Sequence, residues 1–485
     1  MPQFATEPER IPLFVKYSFR WFYTSFLCVS LLFSSENKPN ILFIAVDDLR
    51  PQLGCYGDQQ IISPNIDGLA KQGTVFNQAY CQVPVCGASR ASLLTGLRPT
   101  PKRFRTYKSK ANEDAPGITD LPGWFKKQGY ETYSMGKIYH HRNDNGKSWT
   151  QIGDKLITKK GIGDYKLKES KAPKGTKGWG GGLPYEAADV PEKEYFTHQL
   201  ADAAISRLRD MKKRNKPTFL AVGFTKPHLP FVAPKKYWDL YPKKEITLAT
   251  NPFAPKGSPR KAMHNFGELR SYKGVPQKGP VSDELAIKLK HGYFACISFV
   301  DAMIGRILGE LDRLDMRKNT VIVLWGDHGW QLGEHSLWCK HANFHTSLNA
   351  PLIVSAPGMA KGQRLNQLVE FVDIYPTLCD LSKLSLPQHL EGQSFVPLLE
   401  GKQHPWKEAI FSRYHDGDSV KTERYLYTRW QKQGKMLARM LYDHKLDPLE
   451  NTNISESPDS AQIIDRMEQY LEKGWRPIAK KLPKQ

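Results

Sequence analysis

Asn40-Ile41-Leu42-Phe43-Ile44-Ala45-Val46 is an apolar run that stops abruptly at Asp47-Asp48. A short, continuous apolar segment of this kind is the pattern of a strand buried on both faces, and the carboxylates mark where its C-terminal end reaches a polar site. Two later segments repeat the pattern: 218–223 before Phe224-Thr225-Lys226-Pro227-His228, and 320–325 before Gly326-Asp327-His328-Gly329. Helical candidates lie between them at 63–72, 122–127, 196–213 and 282–314, the last with sustained 3.6-residue apolar periodicity. Strands alternating with helices predict an α/β fold, a large, mostly parallel sheet flanked by helices. Ligands of open α/β sheets sit beyond the carboxyl ends of the strands, so the residues that end these three runs are expected to converge on one site.

Working outward, the chain divides into three parts. Basic Arg10, Lys16 and Arg20 precede an apolar run over 21–33, the order and length of a secretory signal rather than of a membrane-spanning helix. Residues 1–36 are therefore assigned to a signal peptide or N-terminal anchor, and the protein is expected to be exported, periplasmic or secreted. Residues 37–400 are expected to form the main domain, which carries the three strand ends. After about residue 400 the pattern changes to short aromatic strands at 424–430 and 435–442 and a terminal helix at 461–473, so 401–485 is read as a smaller C-terminal α+β subdomain with a short antiparallel sheet. The Lys- and Gly-rich stretch 146–191 reads as a long surface insertion and 257–279 as another exposed connection.

The composition, 40% hydrophobic and 11% aromatic, excludes a disordered or fibrous chain. A formal charge of +21, spread along the sequence, favours an anionic partner. Acidic polysaccharide and nucleic acid both qualify. Without a helix-turn-helix, zinc-finger or RNA-recognition signature, no nucleic acid is expected. Seven scattered cysteines give neither a disulfide framework nor zinc-site spacing; with Cys28 in the signal segment and Cys86 set aside, five remain, room for a pair and, short of an intermolecular bond, at least one free thiol.

The chemistry is carried by Cys86-Gly87-Ala88-Ser89-Arg90-Ala91-Ser92-Leu93-Leu94-Thr95-Gly96, with Val46-Asp47-Asp48, Gly136-Lys137-Ile138-Tyr139-His140, Lys226-Pro227-His228-Leu229-Pro230-Phe231, and Gly326-Asp327-His328-Gly329-Trp330 followed by Glu334, His335 and Lys340. Adjacent carboxylates repel, and an Asp pair at a strand end is best explained by a cation between them. The first segment resembles the signature C-x-[P/A]-x-R of the formylglycine-dependent sulfatases of the alkaline phosphatase superfamily. The five motifs, in this order, resemble most the iduronate-2-sulfatase branch, in which the second metal ligand of the later motif is His rather than Asn.

The resemblance implies a sulfatase acting on a sulfated saccharide, with Cys86 converted to formylglycine by a formylglycine-generating or other sulfatase-maturing enzyme. It implies one divalent cation held by Asp47, Asp48, Cys86, Asp327 and His328. Ca²⁺ is expected from the mainly hard oxygen ligands, ahead of Mg²⁺ or Mn²⁺. Arg90 would hold the attacking hydroxyl, Lys137 and Lys340 the sulfate oxygens; His228 would protonate the leaving alcohol and His140 take the proton at elimination. Two other readings compete: a phosphodiesterase or phosphonate monoester hydrolase of the same superfamily, and a non-catalytic sulfated-polysaccharide-binding protein. None of these residues separates sulfate from phosphate.

Overall fold

A computed structural model describes residues 38–157, 162–174, 180–401 and 405–479. The N-terminal segment assigned to a signal or anchor lies outside them. No described helix is long and apolar enough to cross a membrane.

The run that opens the sequence is strand β1 (Asn40–Val46), and it lies inside an eight-stranded sheet. The other strands are β2 (Thr74–Phe76), β3 (Glu131–Gly136), β4 (Gln151–Ile152), β5 (Thr218–Phe224), β6 (Thr320–Gly326), β7 (Leu352–Ser355) and β8 (Gln363–Leu365). Their order is β8-β2-β7-β6-β1-β5-β3-β4. β1 pairs in parallel with β5 and β6, Ile44 lying between Val222 and Leu324. Only β7 runs against its neighbours. The predicted parallel sheet is thus present.

Burial on both faces explains why β1 shows no polar alternation. Leu42, Ile44 and Val46 enter one core, with helices α1 (Pro64–Lys71), α4 (Phe196–Arg214) and α5 (Asp283–Arg313). Ile41, Phe43 and Ala45 enter the other, with α2 (Cys86–Thr95), α3 (Leu121–Lys127) and α6 (Ile374–Leu381). Each residue of Ile41–Val46 is fully buried. All four predicted helices end within a residue of their expected bounds, and α5 begins after Ser282, whose hydroxyl accepts from the Leu285 N–H as an N-cap. The short strands β2, β3, β4, β7 and β8 carry no comparable run and are fixed by their pairing.

One expectation needs correcting. The stretch 257–279 is exposed only in part, because Ala262, Phe266, Leu269, Arg270 and Tyr272 are buried. Arg270 donates to the carbonyls of Asn265, Pro276 and Gly279, which folds the loop around its guanidinium. The 146–191 insertion is tied to the body by β4 at the sheet edge and by Tyr185–Ala188, which pairs with Phe231–Pro234. All six described cysteines are free and buried, so no pair forms among them.

Strands β9 (Ala409–Tyr414), β10 (Gly417–Thr422), β11 (Tyr425–Lys432) and β12 (Lys435–Asp443) make the expected antiparallel C-terminal sheet, covered by helix α7 (Ala461–Lys473). Trp430, Met440 and Tyr442 pack with Leu337 and Phe344. A buried ionic cluster adds a second tie: Arg98, just past α2, grips both oxygens of Glu370, and Lys407 bridges Glu370 and Asp373. Removing one partner strands a buried charge. Arg98→Ala is expected to lower the unfolding free energy by about 3–5 kcal/mol. Urea titration should show the midpoint falling with an unchanged slope.

Candidate active site

The carboxyl ends of β1, β3, β5 and β6 bring Asp47 and Asp48, Lys137, His228, and Asp327 and His328 to one edge of the sheet. Adjacent residues of a strand point apart, but Asp48 has φ of 59°, and this left-handed turn accompanies the end of β1. The Asp48 N–H donates to Asp327 Oδ1 at 3.0 Å, joining the two strand ends.

Cys86 is the first residue of α2 and faces the same place. Its Sγ lies 3.2 Å from His328 Nε2 and 3.6 Å from Asp48 Oδ1. Gly87 is required here because a Cβ would collide with the Tyr107 carbonyl oxygen. One turn on, Arg90 is fully buried and makes four hydrogen bonds: Nε to Asp327 Oδ2 at 2.9 Å, Nη2 to Asp47 Oδ1 at 2.9 Å, and Nη1 to the carbonyls of Lys137 and Ile138 at 2.6 and 2.9 Å. Arg90 therefore sits behind the carboxylates and orients them. Burial pushes the Cys86 thiol well above its ordinary range despite Lys137 and Lys340, so the thiol stays protonated near neutral pH.

Lys137 Nζ reaches Asp47 Oδ2 at 2.5 Å, and Lys340 Nζ lies 3.2 and 3.1 Å from the two oxygens of Asp48. Lys340 also reaches Glu268 Oε1 at 2.9 Å, and Glu268 is 3.2 Å from His228 Nε2. Sequence reasoning missed Glu268, which lies on the loop taken for an exposed connection; no motif marks it, and only the fold of that loop brings it in. His228 Nδ1 lies 2.6 Å from the Leu229 carbonyl, so both ring nitrogens face oxygens. Burial and Lys340 draw its pKa down to about 4, so the ring is neutral near pH 7 until an anion entering beside it favours the charged form. His140 is drawn down to about 2 by burial and Lys137, and its Nδ1 is buried without a partner among the described residues. Glu334 instead holds Arg50 at 2.8 Å, and His335 Nε2 lies 2.8 Å from the Leu449 carbonyl; both serve the scaffold.

These groups open into a cavity of about 580 Å³ lined by Cys86, Tyr107, His140, His228, Glu268 and Lys340, among others. Ile162, Gly180 and Gly181 of the 146–191 insertion complete its wall.

The donor set suits a cation. Asp48, Cys86, Asp327 and His328 are buried with ligand atoms within 4.8 Å of one another, and Asp47, Asp48, Cys86 and His228 form an overlapping group. His328 Nδ1 lies 2.9 Å from the Gly329 carbonyl, which fixes the proton there and leaves the Nε2 lone pair facing the cluster. Two carboxylates differ in compensation. For Asp47, burial is outweighed by Lys137 and Arg90, which hold it well below the usual range. Asp48 is pushed up to about 7 by burial, which Lys340 offsets only in part. A cation would supply the missing charge.

Residues 39–384 match the family described as Sulfatase, and residues 333–476 match N-sulphoglucosamine sulphohydrolase, C-terminal. Iduronate 2-sulfatase of Homo sapiens is 36% identical over 400 residues, covering 75% of this chain and 72% of that protein. A sulfatase of Formosa agariphila is 31% identical over 461 residues, 90% of this chain and 87% of its own. The phosphonate monoester hydrolase of Agrobacterium radiobacter shares the fold, with a TM-score of 0.73 at 23% identity over 90% of this chain and 95% of that one. So does a protein solved with its substrate D-glucosamine-2-N,6-O-disulfate, with a TM-score of 0.73 at 22% identity over 90% and 98%. The match over most of the chain, with relatives above 30% identity, places it: the chain belongs to the sulfatase family and is a sulfuric ester hydrolase.

Proposed function

We propose that this chain hydrolyses sulfate esters of a sulfated sugar in the manner of iduronate 2-sulfatase, using formylglycine made from Cys86 and one bound divalent cation. The observation that carries the reading is the meeting of Cys86 with buried Asp48, Asp327 and His328 at the floor of a cavity bordered by Lys340 and three histidines. A protonated, buried thiol is a poor nucleophile, which supports a converted side chain rather than the thiol itself as the attacking group. Ca²⁺ is the metal the three carboxylates suit best, ahead of Mg²⁺ or Mn²⁺. Export accords with the basic and apolar segment that begins the sequence.

Asp47, Asp48, Asp327 and His328 would hold the cation, with the side chain at position 86 as a further ligand. The hydrated aldehyde supplies one hydroxyl to attack sulfur and another whose deprotonation expels sulfate, and the cation supplies charge that lowers the pKa of the first and polarises the sulfuryl oxygens. Arg90 keeps Asp47 and Asp327 in register. Lys137 and Lys340 offer ammonium groups to the sulfate oxygens. His228 gives a proton at Nε2 to the leaving alcohol, and His140 accepts one at its unpartnered Nδ1. The insertion residues on the cavity wall stand where they would touch the sugar.

In protein made with a competent maturing enzyme, mass spectrometry of the peptide spanning position 86 should show the aldehyde, and Cys86→Ala should lose essentially all sulfatase activity while keeping its fold. Full activity from wholly unmodified thiol would overturn the reading.

Chelation should abolish turnover, with Ca²⁺ restoring it best, and Asp327→Asn should weaken metal retention as read by elemental analysis of the purified protein.

His228→Ala should slow hydrolysis of sugar sulfates by about 10²–10⁴-fold and of an activated aryl sulfate much less, because a good leaving group needs little help from an acid. Equal losses on both would remove His228 from the acid role.

A further inference from the structure

We propose that Glu268 selects substrates by charge, favouring the monoanion of a sulfate ester over the dianion of a phosphate monoester. This rests on the reading of Lys340 and His228 as the groups that meet the ester. Glu268 touches both, at 2.8 Å from Lys340 and 3.2 Å from His228, and it shares the cavity wall with Cys86.

The carboxylate is held by a built wall. The loop that carries it closes on the Arg270 guanidinium, Gln277 Nε2 donates to the Arg270 carbonyl at 2.6 Å, and Leu269 and Tyr272 on either side are buried. A side chain positioned this way acts on whatever enters the cavity without first having to be ordered.

Charge is what it adds. Beneath the cavity, Arg90, Lys137 and Lys340 stand against Asp47, Asp48 and Asp327, three cations against three anions before the divalent cation is counted. Glu268 is a fourth carboxylate, and it draws on the same Lys340 ammonium as Asp48. Sulfate and phosphate esters have the same tetrahedral outline, so pocket shape separates them poorly. Repulsion from a fixed carboxylate is proportional to the charge brought beside it, and a dianion meets twice that of a monoanion. Specificity of this kind comes from an element that opposes the wrong ligand rather than one that attracts the right one.

The experiment uses the full chain, metal-loaded and modified at Cys86, as wild type, Glu268→Gln and Glu268→Asp. kcat/KM is measured at about pH 8, where phosphate monoesters are dianionic, for 4-nitrophenyl sulfate, 4-nitrophenyl phosphate and the monoanionic 4-nitrophenyl phenylphosphonate. Glu268→Gln should raise the phosphate-to-sulfate ratio by about tenfold or more and leave the phosphonate-to-sulfate ratio within about twofold, while Glu268→Asp keeps the wild-type ratios. A loss shared equally by all three esters, or an unchanged phosphate-to-sulfate ratio, overturns the proposal.

Calorimetric titration of the Cys86→Ala protein with methyl sulfate and with inorganic phosphate gives a second measurement that needs no turnover and no variant of Glu268. Methyl sulfate should bind more tightly at pH 8. Phosphate binding as tight as methyl sulfate overturns charge selection even if Glu268→Gln does not fold. A wild-type enzyme inactive on every sulfate ester would instead remove the sulfatase reading, and the methyl sulfate to phosphate binding ratio would still decide the role of Glu268.

Discussion

The arrangement depends on one buried guanidinium. Arg90 is held by Asp47 at the end of β1, Asp327 at the end of β6 and two carbonyls following β3, so a single side chain of α2 fastens three strand ends to the helix that carries Cys86. The Trp325 ring lies 5.4 Å from its centre and adds a cation–π contact in a fully buried setting. A planar fork of donors can satisfy several acceptors at fixed angles, which a lysine ammonium cannot. The position of Cys86 relative to the carboxylates follows from that fork and from the single turn of helix between residues 86 and 90.

So much buried charge would be costly if it were not balanced. Lys137 and Arg90 both serve Asp47, whereas Asp48 shares Lys340 with Glu268, and burial leaves Asp48 undercompensated. That imbalance lies beside the His328 Nε2 lone pair and Cys86. The protein thus concentrates its unmet negative charge where a cation would be useful and keeps the rest of the cluster neutralised by its own side chains. The tie between Arg98, Glu370, Asp373 and Lys407 applies the same rule to the far end of α2, where it steadies that helix against the C-terminal part of the chain.

The cavity above this floor is made by segments that are not part of the sheet. Ile162, Gly180 and Gly181 come from the long insertion, Glu268 and Tyr272 from the Arg270-centred loop, and Lys340 and His341 from the connection after β6. The scaffold and the cavity wall are therefore separable in origin. A common floor can hold the reaction while loops vary what enters, which is how α/β sheets support different substrates.

The sequence by itself determined the parallel sheet, because a strand buried on both faces must be apolar throughout and its first polar residues must mark an end. β1, β5 and β6, the helices α1, α3, α4 and α5, and Asp47, Asp48, His228, Asp327 and His328 were legible as patterns at or just after strand ends, whereas Cys86, Arg90, Lys137, His140 and Lys340 stood out only through the resemblance of their motifs to a family. The tertiary structure decided what lacks a local signature. The antiparallel β7 and the edge strands are too short for a period to show, and they exist only through their partners. It also decided that Arg90 serves the carboxylates, since an arginine four residues from a cysteine could face either. Glu268 was beyond reach because a lone glutamate in a Gly- and Lys-rich stretch reads as solvated surface, and nothing local says that Arg270 will gather the carbonyls around it and carry the neighbouring carboxylate to Lys340. Contacts between residues distant in sequence are set by long-range packing, and a pattern confined to neighbouring positions does not contain them.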